Sequence, residues 1–245
     1  MTFERKPRVM VFGVGAFAQG VLRILKEAGA EVCTYLTRGY GHYGPMQEGK
    51  TYHPEYYPNP CDILREEPVD FIVPMSIDWA QQDWTDEFLG LGIPIFSPRG
   101  EAYQIERERD FSQRLCIQHG IPFARSFVAR NKLEAEEILA GHPAPYVIKN
   151  TLCSPTSPIH TIVSETLEQT RFWLDTVDYR EGVFLQRYLG RKEAGHIVLV
   201  SNGQVHSLVT NQEYKRAFDG NQGIVAGAPL GGLVEWDPED RYGIA

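Results

Sequence analysis

Residues 8–20 read Arg8-Val9-Met10-Val11-Phe12-Gly13-Val14-Gly15-Ala16-Phe17-Ala18-Gln19-Gly20, a short apolar run that stops at a glycine turn. Such a run, unbroken by polar residues, predicts a strand buried on both faces in a parallel sheet. Val21, Leu22, Leu25 and Ala28 then recur at helical spacing, and Gly29 closes the helix before the second strand Ala30–Leu36. This is a βαβ unit. Working outward, Asp62–Glu67 reads as a short helix, Val69–Pro74 as a third strand, Trp79–Leu91 as a helix and Gly92–Phe96 as a fourth strand. Alternation of this kind predicts an α/β fold, with a doubly wound parallel-sheet (Rossmann-like) N-terminal domain.

Two stretches depart from that alternation. Residues 38–60 combine four glycines and four prolines with five tyrosines and read as a long loop, whose part 39–60 serves as cover for a substrate entrance, as a homodimer contact, or simply as a packed loop. A helix from Gly100 to Gln118 ends at His119-Gly120, after which the pattern changes. Strands are expected at 145–149, 159–163 and 183–188, with a helix over Leu167–Leu174. Strands at 195–201 and 204–211 flank Asn202-Gly203, a strong two-residue hairpin signal. The second half is thus an α+β region with antiparallel pairing. The expected domains are 1–122 and 123–245.

Composition narrows the function classes. With 24 Lys and Arg against 32 Asp and Glu, the net charge of −8 and the lack of a basic cluster argue against nucleic acid and membrane surfaces as partners. No apolar run approaches the roughly 18–20 residues that span a bilayer, and the first residues lack a signal peptide's apolar region, so a cytoplasmic protein is expected. The four cysteines, never closer than 28 residues, and the scattered histidines offer no spacing for zinc or a redox pair.

Gly13, Gly15 and Ala18 match the G-x-G-x-x-[G/A] phosphate-binding fingerprint, in which a tight turn lets a helix N-terminus face a phosphate. A nicotinamide site would end the second strand in Asp or Glu, whereas the sequence there is Tyr35-Leu36-Thr37-Arg38, and Arg38 would suit a 2′-phosphate. Three readings stay open: an NAD(P)-dependent oxidoreductase, a site for another phosphate, or a structural glycine turn.

Farther along, Ile95-Phe96-Ser97-Pro98, Gln104-Ile105-Glu106, Ile121-Pro122-Phe123-Ala124, Tyr146-Val147-Ile148-Lys149 and Gln212-Glu213-Tyr214-Lys215-Arg216 follow in order, with Gly220, Gly223 and Gly227 beyond. In this order the sequence resembles the glycinamide ribonucleotide synthetases (phosphoribosylamine-glycine ligases) of the ATP-grasp superfamily. The resemblance implies an N-terminal pre-ATP-grasp domain, an ATP-grasp domain after it, and an ATP-dependent ligation in purine biosynthesis. In that chemistry ATP phosphorylates a carboxylate and an amine attacks the acyl phosphate, so small-molecule acid and amine substrates are implied. It also implies fixed cations and Mg²⁺. By resemblance Lys149 lies on the nucleotide phosphates, Lys215 and Arg216 contact the reacting groups, Glu193 holds the ATP ribose, and the strand containing Gln186 and Tyr188 reads adenine. Gly13 and Gly15 are carried over as phosphate-binding positions.

The sequence also departs from that pattern. Asn150–Pro158 has neither the glycines nor the lysine of the family's phosphate loop, Phe17-Ala18-Gln19 replaces R-E-H, and Gln186-Arg187 stands where two glutamates are usual. Asp237-Pro238-Glu239-Asp240 reads as the start of a helix without a body, and the family draws its Mg²⁺ ligands from a downstream Glu and Asn. The chain is therefore expected to be a fragment of a longer ligase, the alternative being a catalytically silent nucleotide-binding or interaction module.

Overall fold

The computed structural model describes residues 5–37, 46–153, 159 and 161–225, and the backbone of 231–235. Arg38, the segment 154–158, Gly227, Trp236 and the run Asp237–Asp240 lie outside the described residues. The chain divides into two compact units, Met1–Glu108 and Arg109–Ala245.

In the first unit β1 (Arg8–Phe12), β2 (Glu31–Tyr35), β3 (Lys50–Tyr52) and β4 (Phe71–Pro74) form one parallel sheet in the order β3-β2-β1-β4. Side chains alternate across a strand. Met10 and Phe12 accordingly enter a core with Cys33, Tyr35, Ile63 and Phe88, from the side of α2 (Pro60–Glu66) and α3 (Thr85–Gly90). Val11 and Val32 face the other way, against Ala18 and Leu22 of α1 (Gly15–Glu27). Phe12 is 1% exposed and packs beside Tyr35 at 5.4 Å and edge-on to Trp84 at 5.9 Å between centroids.

Three expectations for this unit need correction. The loop 38–60 contains a strand, β3, because Tyr52 is buried and Gly49 lets the chain lie against β2: a Cβ at Gly49 would stand 1.9 Å from the Val32 carbonyl oxygen. The fourth strand contracts to a single bridge, Ile72 with Ile95, since Pro94 has no N–H to continue the ladder. The helix Trp79–Leu91 is instead a 3₁₀ turn, Ile77–Gln81, and then α3; between them Thr85 Oγ1 accepts from the Gln82 N–H and donates to the Trp79 carbonyl.

The expected helix Gly100–Gln118 is also broken, into a 3₁₀ turn Gly100–Tyr103, α4 (Gln104–Arg107) and α5 (Arg109–Gln118), with Glu108 between them at an extended ψ of 105°. The units part at that break, ahead of the expected division at 122/123. Arg109 shows why: its Nε donates to the Asn150 carbonyl at 2.9 Å and its N–H to the Thr151 carbonyl at 3.2 Å, tying α5 to the second unit.

The second unit contains β5 (Ser126–Ala129), β6 (Tyr146–Asn150), β7 (Ile162–Val163) and β8 (Val183–Arg187), an antiparallel sheet in the order β5-β8-β6-β7. Its core joins Ile148, Val183 and Leu185 to α6 (Lys132–Gly141) and α7 (Leu167–Leu174) through Ala135, Leu139 and Leu174. Both helices start on a side-chain cap: Asn131 Oδ1 accepts from the Glu134 N–H, and Thr166 Oγ1 from the Gln169 N–H. Beyond these lie β9 (Glu193–Ser201), β10 (Gln204–Tyr214) and β13 (Gly231–Glu235) in an antiparallel sheet, and the ribbon β11 (Arg216–Phe218) with β12 (Gln222–Val225). The β9–β10 turn holds Asn202 at φ 49° and Gly203 at φ 73°, the left-handed pair that a two-residue hairpin turn requires.

Candidate functional site

In the first unit the glycine turn is explained by packing. A Cβ on Gly13 would lie 2.6 Å from Met75 Cγ and 3.3 Å from Ala18 Cβ, and Ala18 is itself fully buried. Gly15 takes φ 71°, a left-handed conformation that favours glycine. Among the described residues β2 ends on buried Tyr35, whose hydroxyl donates to the Tyr57 carbonyl at 3.0 Å. Close approach and turn geometry are thus what these two positions show.

In the second unit the expected ligand-contact residues fall into three polar groups. Lys149 on β6 and Gln186 on β8 meet across paired strands, with Lys149 Nζ donating to Gln186 Oε1 at 2.8 Å. β8 is an inner strand with ladders to β5 and β6, so its backbone through Arg187 serves the sheet; the N–H of Tyr188 goes on to the Pro145 carbonyl at 2.9 Å.

The second group sits at the open end of the β9–β10 hairpin. Glu193 and Glu213 are direct partners in the register, and Lys215 bridges them, with Nζ 2.5 Å from Glu193 Oε2 and 2.8 Å from Glu213 Oε2. Burial works to lower the Lys215 pKa, but its hydrogen bonds to the two carboxylates outweigh burial and raise it. Lys215 in turn, with help from Asn211, holds Glu213 below the ordinary carboxylate range. Two residues expected from the resemblance to play different parts, Glu193 and Lys215, are thus joined.

The third group surrounds Glu165. Arg216 Nη2 donates to Glu165 Oε1 at 2.6 Å and its Nη1 to the Gly223 carbonyl at 2.6 Å. Arg191 grips the same carboxylate with two donors, Nε at 2.9 Å and Nη2 at 2.6 Å. Tyr188, an expected adenine-strand residue, adds a smaller contribution to lowering the Glu165 pKa. The Arg191 hydrogen bonds lead in pulling the Glu165 pKa down; burial opposes them, and the charges of Arg191 and Arg216 add to the fall.

Glu165 and Arg191 were missed by the sequence reading. They lie 26 residues apart and appear there as single charges, and only the cap signal Thr166-x-x-Gln169 marks the place. A cavity of about 350 Å³ between α6 and α7, lined by Lys132, Glu136 and Arg171 among others, includes none of the expected ligand-contact residues.

Magnesium was tested against this geometry. Among the described residues no group of three or more His, Cys, Asp or Glu is placed to hold a metal ion, and Glu165, Glu193 and Glu213 are each bound to Lys or Arg. These three carboxylates are thus engaged by cations rather than turned to Mg²⁺. Also among them, no helix is long and apolar enough to cross a membrane.

The chain is 31% identical over 147 residues to phosphoribosylamine-glycine ligase of Streptomyces coelicolor, which covers 60% of this chain and 33% of that protein. It is 25% identical over 232 residues to a bifunctional purine biosynthetic protein of Saccharomyces cerevisiae, covering 89% of this chain and 29% of the relative. It spans about a third of the length of the curated relatives it matches. Among solved structures, phosphoribosylamine-glycine ligase from Thermotoga maritima superposes with a TM-score of 0.64 at 20% identity, over 89% of this chain and 53% of that one. The ADP complex of an N5-carboxyaminoimidazole ribonucleotide synthetase gives 0.63 at 16%, over 89% and 56%. At those identities the likeness concerns the fold, a mixed α/β architecture with a parallel sheet and ATP-grasp neighbours. The sequence profile of the "Phosphoribosylglycinamide synthetase, ATP-grasp (A) domain" family matches residues 107–234, more than half of the 245, and the protein belongs to that family.

Proposed function

We propose that the chain is the nucleotide-binding part of a cytosolic ATP-dependent carboxylate-amine ligase of the phosphoribosylamine-glycine ligase type. The carrying observation is the coincidence of the family match, 107–234, with the compact unit that begins at Arg109. On this reading the first unit is a doubly wound pre-ATP-grasp domain, with α1 on one sheet face and α2 and α3 on the other, and the second is the ATP-grasp domain. ATP phosphorylates the substrate carboxylate, and the amine then displaces phosphate from the acyl phosphate.

Such a reaction depends on fixed positive charge around the triphosphate and the transferring phosphoryl group. Lys149 is assigned to the phosphates, with Gln186 orienting its ammonium. Glu193 is assigned to the ribose, and Lys215 and Arg216 to the reacting oxygens. Each cation already holds a carboxylate or amide oxygen, so ATP enters by exchanging these contacts for its own phosphate oxygens. Adenine is expected to meet the chain beyond β8, at residues 188–190. Gly13 and Gly15 keep a structural part in this reading. Magnesium supplies charge neutralisation when bound in ligases of this type, and no step is assigned to it here. Exposed Tyr56 and Tyr57 support an interface role for the segment 39–60, which would make a homodimer.

The test is titration of the full chain with ATP, followed by assay of ADP formation with Mg²⁺, glycine and phosphoribosylamine. Saturable ATP binding with amine-dependent ADP release supports the ligase, and no ATP binding overturns it. A second reading, a nucleotide-binding module without turnover, draws support from Asn150–Pro158, which has neither the glycines nor the lysine of the family's phosphate loop. ATP binding with no ADP under any combination of acid and amine, in a protein that includes any downstream Glu and Asn, would select it.

A further inference from the structure

Arg216 lies 14% exposed at the start of the β11–β12 ribbon, and a guanidinium on so short a strand has little of its own to hold it. What fixes it comes from far along the chain. Glu165 stands 51 residues earlier in the β7–α7 connection, and its Oε1 accepts from Arg216 Nη2 at 2.6 Å. The same carboxylate takes both forks of Arg191, 26 residues away between β8 and β9. Arg191 in turn donates to Gln222 Oε1 at 3.0 Å, and its carbonyl accepts from Asn221 Nδ2 at 3.3 Å. Three chain segments therefore close on one carboxylate.

Glu165 is itself held in place. It immediately precedes the Thr166 cap of α7, and its N–H donates to Gln169 Oε1 at 2.8 Å while the Gln169 N–H donates to Thr166 Oγ1 at 3.1 Å. This reciprocal cap anchors the backbone beside the carboxylate. An exposed single ion pair contributes little, but a two-pronged arginine grip on a carboxylate that also holds a second, mostly buried arginine fixes direction as well as charge. Two guanidiniums on one carboxylate leave a net positive charge of one, so the group still attracts an anion. Arg216 keeps N–H groups beyond the two that point to Glu165 and Gly223.

We propose that Glu165 is a positioning residue: through the carboxylate it shares with Arg191, it sets the pose in which Arg216 meets the phosphates of ATP. This rests on the nucleotide-binding reading above. Glu165 is not assigned a contact with ATP; its effect passes through Arg216.

The experiment measures ATP binding by calorimetry on the full chain, for wild type, Glu165→Gln, Glu165→Asp, Arg216→Gln and the double variant Glu165→Gln/Arg216→Gln, with circular dichroism and Tm as folding controls. Glu165→Gln is expected to weaken ATP about tenfold, the scale of coupling between residues in one ion-pair network. Glu165→Asp keeps the charge and should bind between wild type and Glu165→Gln. The double variant should bind no more weakly than Arg216→Gln alone, because without Arg216 there is nothing left for Glu165 to orient. Wild-type affinity in Glu165→Gln, or effects of the two substitutions that multiply, would overturn the proposal. If Glu165→Gln does not fold, Glu165→Asp decides: unchanged affinity overturns the proposal and intermediate affinity supports it. Absence of ATP binding by wild type is a different result, since it removes the nucleotide-binding reading and this proposal with it.

Discussion

The glycine turn of the first unit and the charged end of the β9–β10 hairpin in the second both resemble phosphate sites in sequence, yet they are built on opposite principles. At Gly13 the absent side chain makes room for protein, Met75 and Ala18. At Lys215, Arg216 and Glu193 the side chains are gathered by one another, with carboxylates holding the cations. A glycine motif therefore needs its surroundings before it denotes a ligand. A cluster of ion-paired cations drawn from distant segments is harder to explain by packing alone.

The largest expected effect that could break this contrast is at Lys215. Lys215→Met removes a charge assigned to phosphate and leaves Glu193 facing Glu213, so ATP affinity should fall about 10- to 100-fold, on the scale of a charged hydrogen bond of ~1.5–3 kcal/mol. Calorimetry on the full chain checks it, and undiminished binding would remove Lys215 from the site. Next comes Gly13→Ala, which forces a Cβ against Met75 and should cost about 1–3 kcal/mol in urea denaturation, as overpacking does. Adding Met75→Ala should recover part of that loss. Loss of ATP binding by Gly13→Ala with stability intact would turn the first unit back into a phosphate site.

A smaller effect concerns acid. In the first unit Glu67 is held at about 2, chiefly by its hydrogen bond to Lys50 and then by Arg8 and Tyr52. A carboxylate with a lowered folded pKa contributes stability above its unfolded value, and that contribution is lost as pH falls through the folded value. Stability tied to Glu67 should therefore decline between about pH 4.5 and 2, and Glu67→Gln should flatten the decline in an acid titration followed by circular dichroism. A variant with the wild-type acid profile would contradict this. The smallest is Gly203→Ala in the hairpin turn: no atom lies within 4 Å of the added Cβ, so only the strain of φ 73° is felt, about 1 kcal/mol.

Much of the fold was legible because local pattern and tertiary role agree. The run Arg8–Phe12, the helix after it and the Asn202-Gly203 hairpin each announce themselves within a few residues. β3 was hidden because its three residues sit among glycines and prolines, and what makes it a strand is pairing with β2, which is remote in sequence. α6 passed unnoticed although Asn131 and Glu134 form a cap there: Glu134 Oε2 accepts from the Arg130 N–H. Of the candidate site, Lys149, Glu193, Lys215 and Arg216 are expected from the family resemblance, and their roles stay proposals. Glu165 and Arg191 could not be expected from it, because their meaning lies in an ion pair that only the folded chain creates.

The most direct test of the contrast is photo-crosslinking of azido-ATP to the full chain, with labelled peptides located by mass spectrometry and unmodified ATP as competitor. The account predicts competed label within residues 146–225 and none in the peptide containing Gly13 and Gly15. Competed label on residues 8–27, or no label that ATP displaces, would contradict it.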